Sequence, residues 1–260
     1  MADVPVVRFG VIVVGDEILT GKRVDRHLGK VIELLAERGL ELAWARYVGD
    51  DHAELTRQLA ETMAGDASVL CCGGIGGTPD DRTRQAAAAA AGVELAVHPE
   101  GWQLLLERFG EHDAQPRRAM VEFPAGATLI PNPVNQIPGF TVGRHHFVPG
   151  FPNMAWPMLE WVLDTLYAAS HARGRRVDWA RRVVGVRESE LTPLLERWTE
   201  RYPTLKVSCL PRWCPPAFEL ELGLRGTPAD VADASVAVLA DLDAAGYQHG
   251  PVAGEHPADS

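Results

Sequence analysis

Cysteine, aromatic residues and positive charge are all scarce in this chain, and each scarcity excludes something. Four cysteines in 260 residues are too few for a disulfide-built scaffold. Cys71 and Cys72 end an apolar run, where buried, reduced thiols are expected. Cys209 and Cys214 in "CLPRWC" stand further apart than a CxxC clip, and no second ligand pair follows, which argues against structural zinc. Lysine plus arginine number 25 against 35 acids, a formal net charge of −10, whereas a nucleic-acid partner calls for a basic surface. No stretch reaches the ~20 apolar residues that span a bilayer. The opening "MADVPVVRFGVIVVG" lacks the basic start, long apolar stretch and small-residue cleavage site of a secretory signal. The expectation is a cytoplasmic protein that handles a small molecule, with no nucleic-acid or membrane partner. No internal repeat is present.

What the chain does have is apolar content, 46% over 260 residues, enough for one large domain or one large and one small. "VVRFGVIVVG" (6–15) reads as a strand buried on both faces. Val24, Leu28, Val31, Leu34 and Leu35 recur at helical spacing over 24–39, with Gly39 placed as a C-cap. Residues 40–49 alternate as a strand does, and 50–65 form a helix announced by an aspartate and Glu54. A buried strand follows at 67–72 and an alanine-rich helix at 81–92. This β-α-β-α-β-α order predicts an α/β fold, a mostly parallel sheet with helices on both faces, over 1–170. Residues 99–118 read as a helix and a polar turn, 125–140 as loop, and 144–169 as strand, Pro-Gly turn and helix. After a polar linker at 170–176, residues 177–245 give β-α-β-β-α, a small α+β domain whose last helix opens at Thr227 and Pro228. The polar tail 246–260 is expected to be disordered.

Ligands of such sheets sit beyond the carboxyl ends of the strands, where this chain places glycines and acids. "GDEILTG" supplies Gly15, Asp16 and Glu17; "GDD" supplies Asp50 and Asp51; "GGIGGTPDDRT" supplies Gly73, Gly74, Gly76, Gly77, Thr78, Asp80, Asp81 and Thr83. A strand that runs through glycines into a helix gathers backbone N–H groups and the positive end of a helix dipole. The pattern is neither a Walker loop nor the dinucleotide GxGxxG fingerprint. An anionic ligand and a tight unliganded turn both fit it. Asp80 and Asp81 either cap the next helix or help to hold a divalent cation, since Mg²⁺ takes one or two carboxylates plus substrate phosphates. In "VPGFPNM" (148–154), Pro149, Gly150 and Pro152 shape a turn, and Asn153 either caps the next helix or touches a ligand. His145 and His146 read as turn residues, with a ligand role as the lesser alternative; adjacent positions on a strand face opposite sides, which argues against a shared metal. Trp156 and Trp161 read as helix-packing surface.

In this order and spacing, "GDEILTG", "YVGDD", "GGIGGTPDDRT" and "IPNPVNQIPGF…FVPGFPNM" resemble the molybdopterin-binding domain family. This is the MoaB/Mog-like fold of molybdenum-cofactor biosynthesis proteins, and the version here resembles the N-terminal domain of CinA-type, competence/damage-inducible proteins. The resemblance covers residues 6–168 and, more weakly, the small domain. It implies a three-layer α/β/α domain, often homo-oligomeric, with a pterin or adenine-nucleotide phosphate held around the GGIGGT loop. By it, Asp50 and Asp81 match acids that matter for adenylyl chemistry. The CinA-type pocket resembles a pyrophosphatase, dependent on a divalent metal (Mg, Mn or Co), that splits ADP-ribose-like dinucleotides; a related domain accompanies eukaryotic FAD synthases. The C-terminal deamidase domain of full-length members has no counterpart in these 260 residues.

Three positions depart from the family pattern. Gly77 replaces the usual proline, the glutamate of the usual "PGVPSEM" is missing from "PGFPNM", and Arg26-His27 replaces the asparagine that follows "DT". The implied function is a pyrophosphohydrolase of ADP-ribose- or FAD-like dinucleotides, with Asp81, Asp80 and Asp50 catalytic. Asp16, Glu17, Asp80 and Asp81 would place the metal. Gly15, the glycine loop, Thr78, Thr83 and the 149–153 turn would hold the ligand. A non-catalytic molybdopterin- or nucleotide-binding module, or a molybdenum-cofactor step, remain as alternatives.

Overall fold

The computed structural model describes residues 7–171, 176–214 and 217–252, and the chain divides into two compact units between residues 173 and 174. The first unit runs β1 (Phe9–Val14), α1 (Asp16–Leu19), α2 (His27–Glu37), β2 (Leu42–Val48), α3 (His52–Met63), β3 (Ser68–Cys72), α4 (Thr83–Ala91), β4 (Leu95–Val97), α5 (Pro99–Ala114), β5 (Glu122–Pro124), β6 (Thr128–Ile130), β7 (Gly139–Val142), β8 (His145–Val148) and α6 (Pro152–Leu166). Its main sheet has the order β2-β1-β3-β8-β7-β6. The first four strands are parallel, β7 runs antiparallel to β8, and β6 runs antiparallel to β7.

Every residue of β1 is buried, and its side chains alternate between two cores. Phe9, Val11 and Val13 join Leu34 of α2 and Leu159 of α6 on one face. Ile12 and Val14 join Leu55 of α3 and Ala86 of α4 on the other. A strand covered on both faces must be apolar throughout, which is why the run was legible. β2 lies on one side of β1 and β3 on the other, so the chain reverses its direction of winding there. In open α/β sheets that switch point is where a crevice forms.

Several boundaries differ from the sequence-based expectation. The helix expected from residue 24 begins at His27, because the Asp25 carboxylate accepts hydrogen bonds from the N–H groups of His27 and Leu28 and caps it there. Val24 is left outside at 86% exposure. The stretch 125–140, read as loop, holds β6 and the start of β7. The helix after residue 99 is interrupted at Gly110 and followed by a 3-10 segment, Gln115–Val121. His145 and His146 are buried strand residues of β8, not turn residues. They do face opposite ways: His145 Nε2 shares a hydrogen bond with Thr62 Oγ1 of α3 at 2.9 Å, while His146 bonds Thr141 Oγ1 at 2.9 Å and the Tyr167 hydroxyl at 2.7 Å. No helix among the described residues is long and apolar enough to cross a membrane.

The second unit comprises β9 (Val177–Val184), α7 (Glu188–Arg201), β10 (Lys206–Cys214), β11 (Ala217–Gly226), α8 (Pro228–Ala244) and β12 (Gln248–Pro251). The strands form one antiparallel sheet, β10-β11-β9-β12. Leu220, Leu222 and Leu224 of β11 meet Leu191 and Trp198 of α7 and Val238 and Leu242 of α8. Thr227 caps α8 by accepting from Asp230 N–H. β12 corrects the expectation of disorder from residue 246, since it pairs with β9 and so closes the sheet edge; 253–260 of that tail and most of the expected linker lie outside the described residues. The Cys209 thiol is free, and burial pushes it up to about 11.

Burial first, and then neighbouring Arg144 and His145 respectively, lower the pKa of His145 and of His146 to about 4. The unfolded chain protonates its histidines near pH 6.5. Between those values it binds more protons than the folded chain, so stability falls as pH is lowered from about 6.5 towards 4. Thermal melts across that window are expected to show falling midpoints for the first unit. In His146→Gln the slope should be shallower even though the midpoint at pH 7 is lower; an unchanged slope would refute the assignment.

Candidate functional site

A cleft of about 400 Å³ opens at the switch point, where the ends of β1 and β3 lie side by side. That volume lies in the range of small-ligand sites. β3 ends at Cys72 and the chain turns through Gly73 and Gly74 at φ +112° and +67°. A Cβ on Gly74 would meet Thr83 Oγ1, and one on Gly73 would meet Val14 O. Positive φ with no room for a side chain leaves glycine as the residue that fits. Gly77 lies so close to Met120 that an added Cβ would stand 3.1 Å from its Cγ.

The loop's carbonyls are held from below. Thr83 Oγ1 donates to Gly73 O at 3.0 Å, and Thr83 N–H donates to Gly74 O at 3.0 Å. Arg84 Nη2 donates to Gly76 O at 2.8 Å, and its Nη1 donates to the carbonyls of Ala119 and Glu122. Among the described residues, the N–H groups of Gly74, Ile75, Gly76 and Gly77 make no hydrogen bond. They are available to bond a group that enters the cleft. Asp81 closes the next turn, accepting from the N–H and hydroxyl of Thr78. It does not cap α4, whose N-cap is Arg82 without a side-chain bond.

The opposite wall is acidic. Asp16 and Asp50 clasp the ends of β1 and β2: Asp16 N–H donates to Asp50 Oδ2 at 2.9 Å, and Asp50 N–H to Asp16 Oδ1 at 3.2 Å. Burial, and behind it the charges of Asp16, Glu17 and Asp80, raise the Asp50 carboxyl above its ordinary value, against the backbone bond from Asp16. Three acids near a fourth make a field that favours a cation. Asp51 caps α3, accepting from Glu54 N–H at 2.8 Å.

Of the residues singled out in the sequence, Gly15, Glu17, Asp50, Gly73, Gly74, Gly76, Gly77, Thr78, Asp80, Asp81, Pro149 and Gly150 line this one cleft. Four do not. Asp16 is exposed in the clasp with Asp50 and does not line the cleft, and Thr83 lies fully buried beneath the loop, bracing it. Pro152 lines a neighbouring cavity. Asn153 sits exposed in the first turn of α6, neither capping it nor lining the cleft. Among the described residues no three His, Cys, Asp or Glu side chains stand together ready to hold a metal ion. The carboxylates present are hard oxygen donors of the kind Mg²⁺ takes when ligand phosphates and water complete its shell; they fit such an ion only together with its ligand.

Sequence reasoning missed Arg84, Arg23, Phe151, Asn132 and Asn135. Asn132 Oδ1 accepts from Val134 and Asn135 N–H, and Asn135 Oδ1 from Ile137 N–H, so each stiffens the "PNPVNQIPG" segment that forms the cleft's rim. Their spacing was a legible sign of Asx turns. Arg84 gave none, since only the folded chain puts Gly76 and Ala119 around it.

Gly74→Ala and Gly21→Ala separate the two demands on the loop. Both glycines have positive φ, 67° and 72°, but nothing lies within 4 Å of a Cβ at Gly21. Urea denaturation is expected to show a loss of about 1 kcal/mol for Gly21→Ala and a clearly larger loss, about 2–3 kcal/mol, for Gly74→Ala. Equal losses would mean that Thr83 does not brace the loop as described.

The comparisons with known proteins agree with this geometry. A family model described as "Probable molybdopterin binding domain" matches residues 10–168. The chain is 33% identical over 234 residues to a CinA-like protein of Citrifermentans bemidjiense, covering 86% of this chain and 54% of that one. It is 30% identical over 212 residues to a protein of Pyrobaculum arsenaticum, covering 78% and 79% of the two. The chain thus spans about half the length of the CinA-like relatives it matches. Among solved structures it is similar to the protein CinA, of unknown function, from Thermoplasma acidophilum, with TM-score 0.55 and 27% identity over 60% of this chain and 95% of that one. With the family model spanning the whole cleft-bearing unit, the chain belongs to the molybdopterin-binding domain family, in its CinA-like branch.

Proposed function

We propose that the cleft binds a pterin- or nucleotide-phosphate ligand and hydrolyses the diphosphate of ADP-ribose- or FAD-like dinucleotides with a divalent metal. The observation that carries this reading is the pairing of four unengaged N–H groups on one wall with Glu17, Asp50, Asp80 and Asp81 on the others. N–H groups favour an anion. Carboxylates repel one unless a cation stands between, so a phosphate and a divalent ion together satisfy a site that neither satisfies alone.

The residues then divide by role. Gly74–Gly77 N–H groups hold the phosphoryl oxygens and lie ready for charge that develops there. Asp50, with its raised pKa, is suited to take a proton from an attacking water. Asp80, Asp81 and Glu17 line the cleft and would offer the metal one or two carboxylates, with the ligand's phosphate and water completing its shell. A divalent ion there would polarise the phosphoryl group and make water a better nucleophile. Ile75, Ile137, Met120 and Phe151 give the flat ring of a base or pterin an apolar seat.

A binding module without turnover is the second reading. It is favoured by the absence, among the described residues, of three metal-ligating side chains already gathered, and by the missing glutamate of the "PGFPNM" turn.

The test is release of AMP from ADP-ribose, FAD and NAD, and of adenosine 3′,5′-bisphosphate from CoA, with Mg²⁺, Mn²⁺ or Co²⁺ against EDTA. Metal-dependent release is expected from at least one substrate. Asp50→Asn and Asp81→Asn are each expected to lower its kcat by about 100-fold or more, with melting temperatures close to that of the parent. Silence across the panel, with a melting temperature raised by a pterin or nucleotide, would establish the binding module instead.

A further inference from the structure

A second cavity of about 370 Å³ adjoins the glycine-loop cleft. Val14, Glu17, Arg23, Gly150 and Phe151 line both. Past that common wall the lining changes sign. The first cleft adds Asp50, Asp80 and Asp81. The second adds Arg26 and His27, and Glu17 is the one acid that lines it.

The basic character is local and unusual for this chain. In a protein of net charge −10, "KRVDRHLGK" (22–30) places Lys22, Arg23, Arg26 and Lys30 within nine residues. The acid in that stretch, Asp25, is engaged elsewhere. Its carboxylate accepts from His27 N–H, Leu28 N–H and the Tyr47 hydroxyl at 2.8, 3.1 and 2.8 Å. Those bonds fix the loop that presents the arginines without neutralising them.

Among the described residues Arg26 makes no ion pair. Its guanidinium lies over the Trp156 ring, 5.5 Å from the centroid, an arrangement that orients the group and leaves its N–H edges open. Arg23 reaches only Glu17, at 4.0 Å. His27, 5% exposed, is fixed through Nε2 to Gly150 O at 3.0 Å, while its Nδ1 is buried without a partner. Phe151, 57% exposed, lines both cavities.

Two cavities sharing a wall suit a ligand with two halves. Two guanidinium forks facing the second cavity suit a phosphate, which they grip in bidentate fashion. We propose that this cavity is the second compartment of the same ligand site, and that Arg26 with Arg23 recognises a phosphate monoester on the ligand's far half. The preferred ligands are then diphosphate-linked dinucleotides that carry an additional 2′- or 3′-phosphate. The proposal rests on the reading that a diphosphate binds at the glycine loop.

The test is calorimetric titration, with Mg²⁺, of two ligand pairs that differ only in that phosphate: NADP⁺ against NAD⁺, and CoA against dephospho-CoA. At least one phosphorylated member is expected to bind about tenfold or more tightly than its partner, an advantage that weakens with salt. In Arg26→Gln the advantage should fall to about twofold or less, with unchanged affinity for the unphosphorylated partner and an unchanged melting temperature; Arg26→Lys should recover part of it. Equal affinities within both pairs, or an advantage that survives Arg26→Gln, overturn the proposal while leaving the glycine-loop reading intact. If none of the four ligands binds, this proposal falls, and the glycine-loop reading is decided separately by the ADP-ribose and FAD arms of the hydrolysis assay.

Discussion

The cleft depends on a glycine loop whose carbonyls are tied down while its N–H groups are not. Thr83 and Arg84, consecutive residues at the start of α4, do the tying. A guanidinium that is 2% exposed is costly unless its donors are used. Here burial lowers the Arg84 pKa, with Glu122 and Asp81 acting against it, and the group bonds the carbonyls of Gly76, Ala119 and Glu122. With the Gly73, Gly74 and Gly76 carbonyls turned inward, the N–H groups of Gly74, Ile75 and Gly77, anti to them across planar trans peptides, point the other way. The glycines supply the conformational freedom, but the buried side chains decide which way the loop faces.

Charge is sorted along the same switch point. Acids gather where β1, β2 and the glycine loop end, and the Asp16–Asp50 clasp holds two of them close although they repel. Bases gather on the segment between α1 and α2, held there by the bonds that Asp25 accepts. Glu17 and Arg23 stand on the boundary. A ligand crossing it would meet unengaged N–H groups and carboxylates on one side and guanidinium groups on the other. A diphosphate with an extra phosphate has the charge distribution to match both.

Much of this was legible in the sequence because the first unit's strands are buried on both faces. Unbroken apolar runs such as "VIVV" and "SVLCC" announce such strands, and the glycines and acids after them mark the carboxyl ends where a ligand must lie. Twelve of the residues picked out that way do line one cleft. The misses have physical causes. β6 and β7 are short antiparallel strands set among prolines and asparagines, and their pairing is fixed by neighbours rather than by their own pattern. His145 and His146 read as polar turn residues, yet partners on α3, β7 and near the end of α6 make their burial possible.

The sequence by itself therefore determined the layers, the position of the site and the chemistry available there, since each follows from local patterns of burial, turn and charge. Tertiary structure alone decided what each side chain does in it. It placed Thr83 under the loop rather than in it, tied Asp16 to Asp50 outside the cleft's lining, and brought Arg84 from an alanine-rich helix to the loop's carbonyls. It also laid Arg26 over Trp156, 130 positions along the chain, beside a second cavity. Those outcomes depend on which residues distant in the chain meet, and no local pattern carries that information.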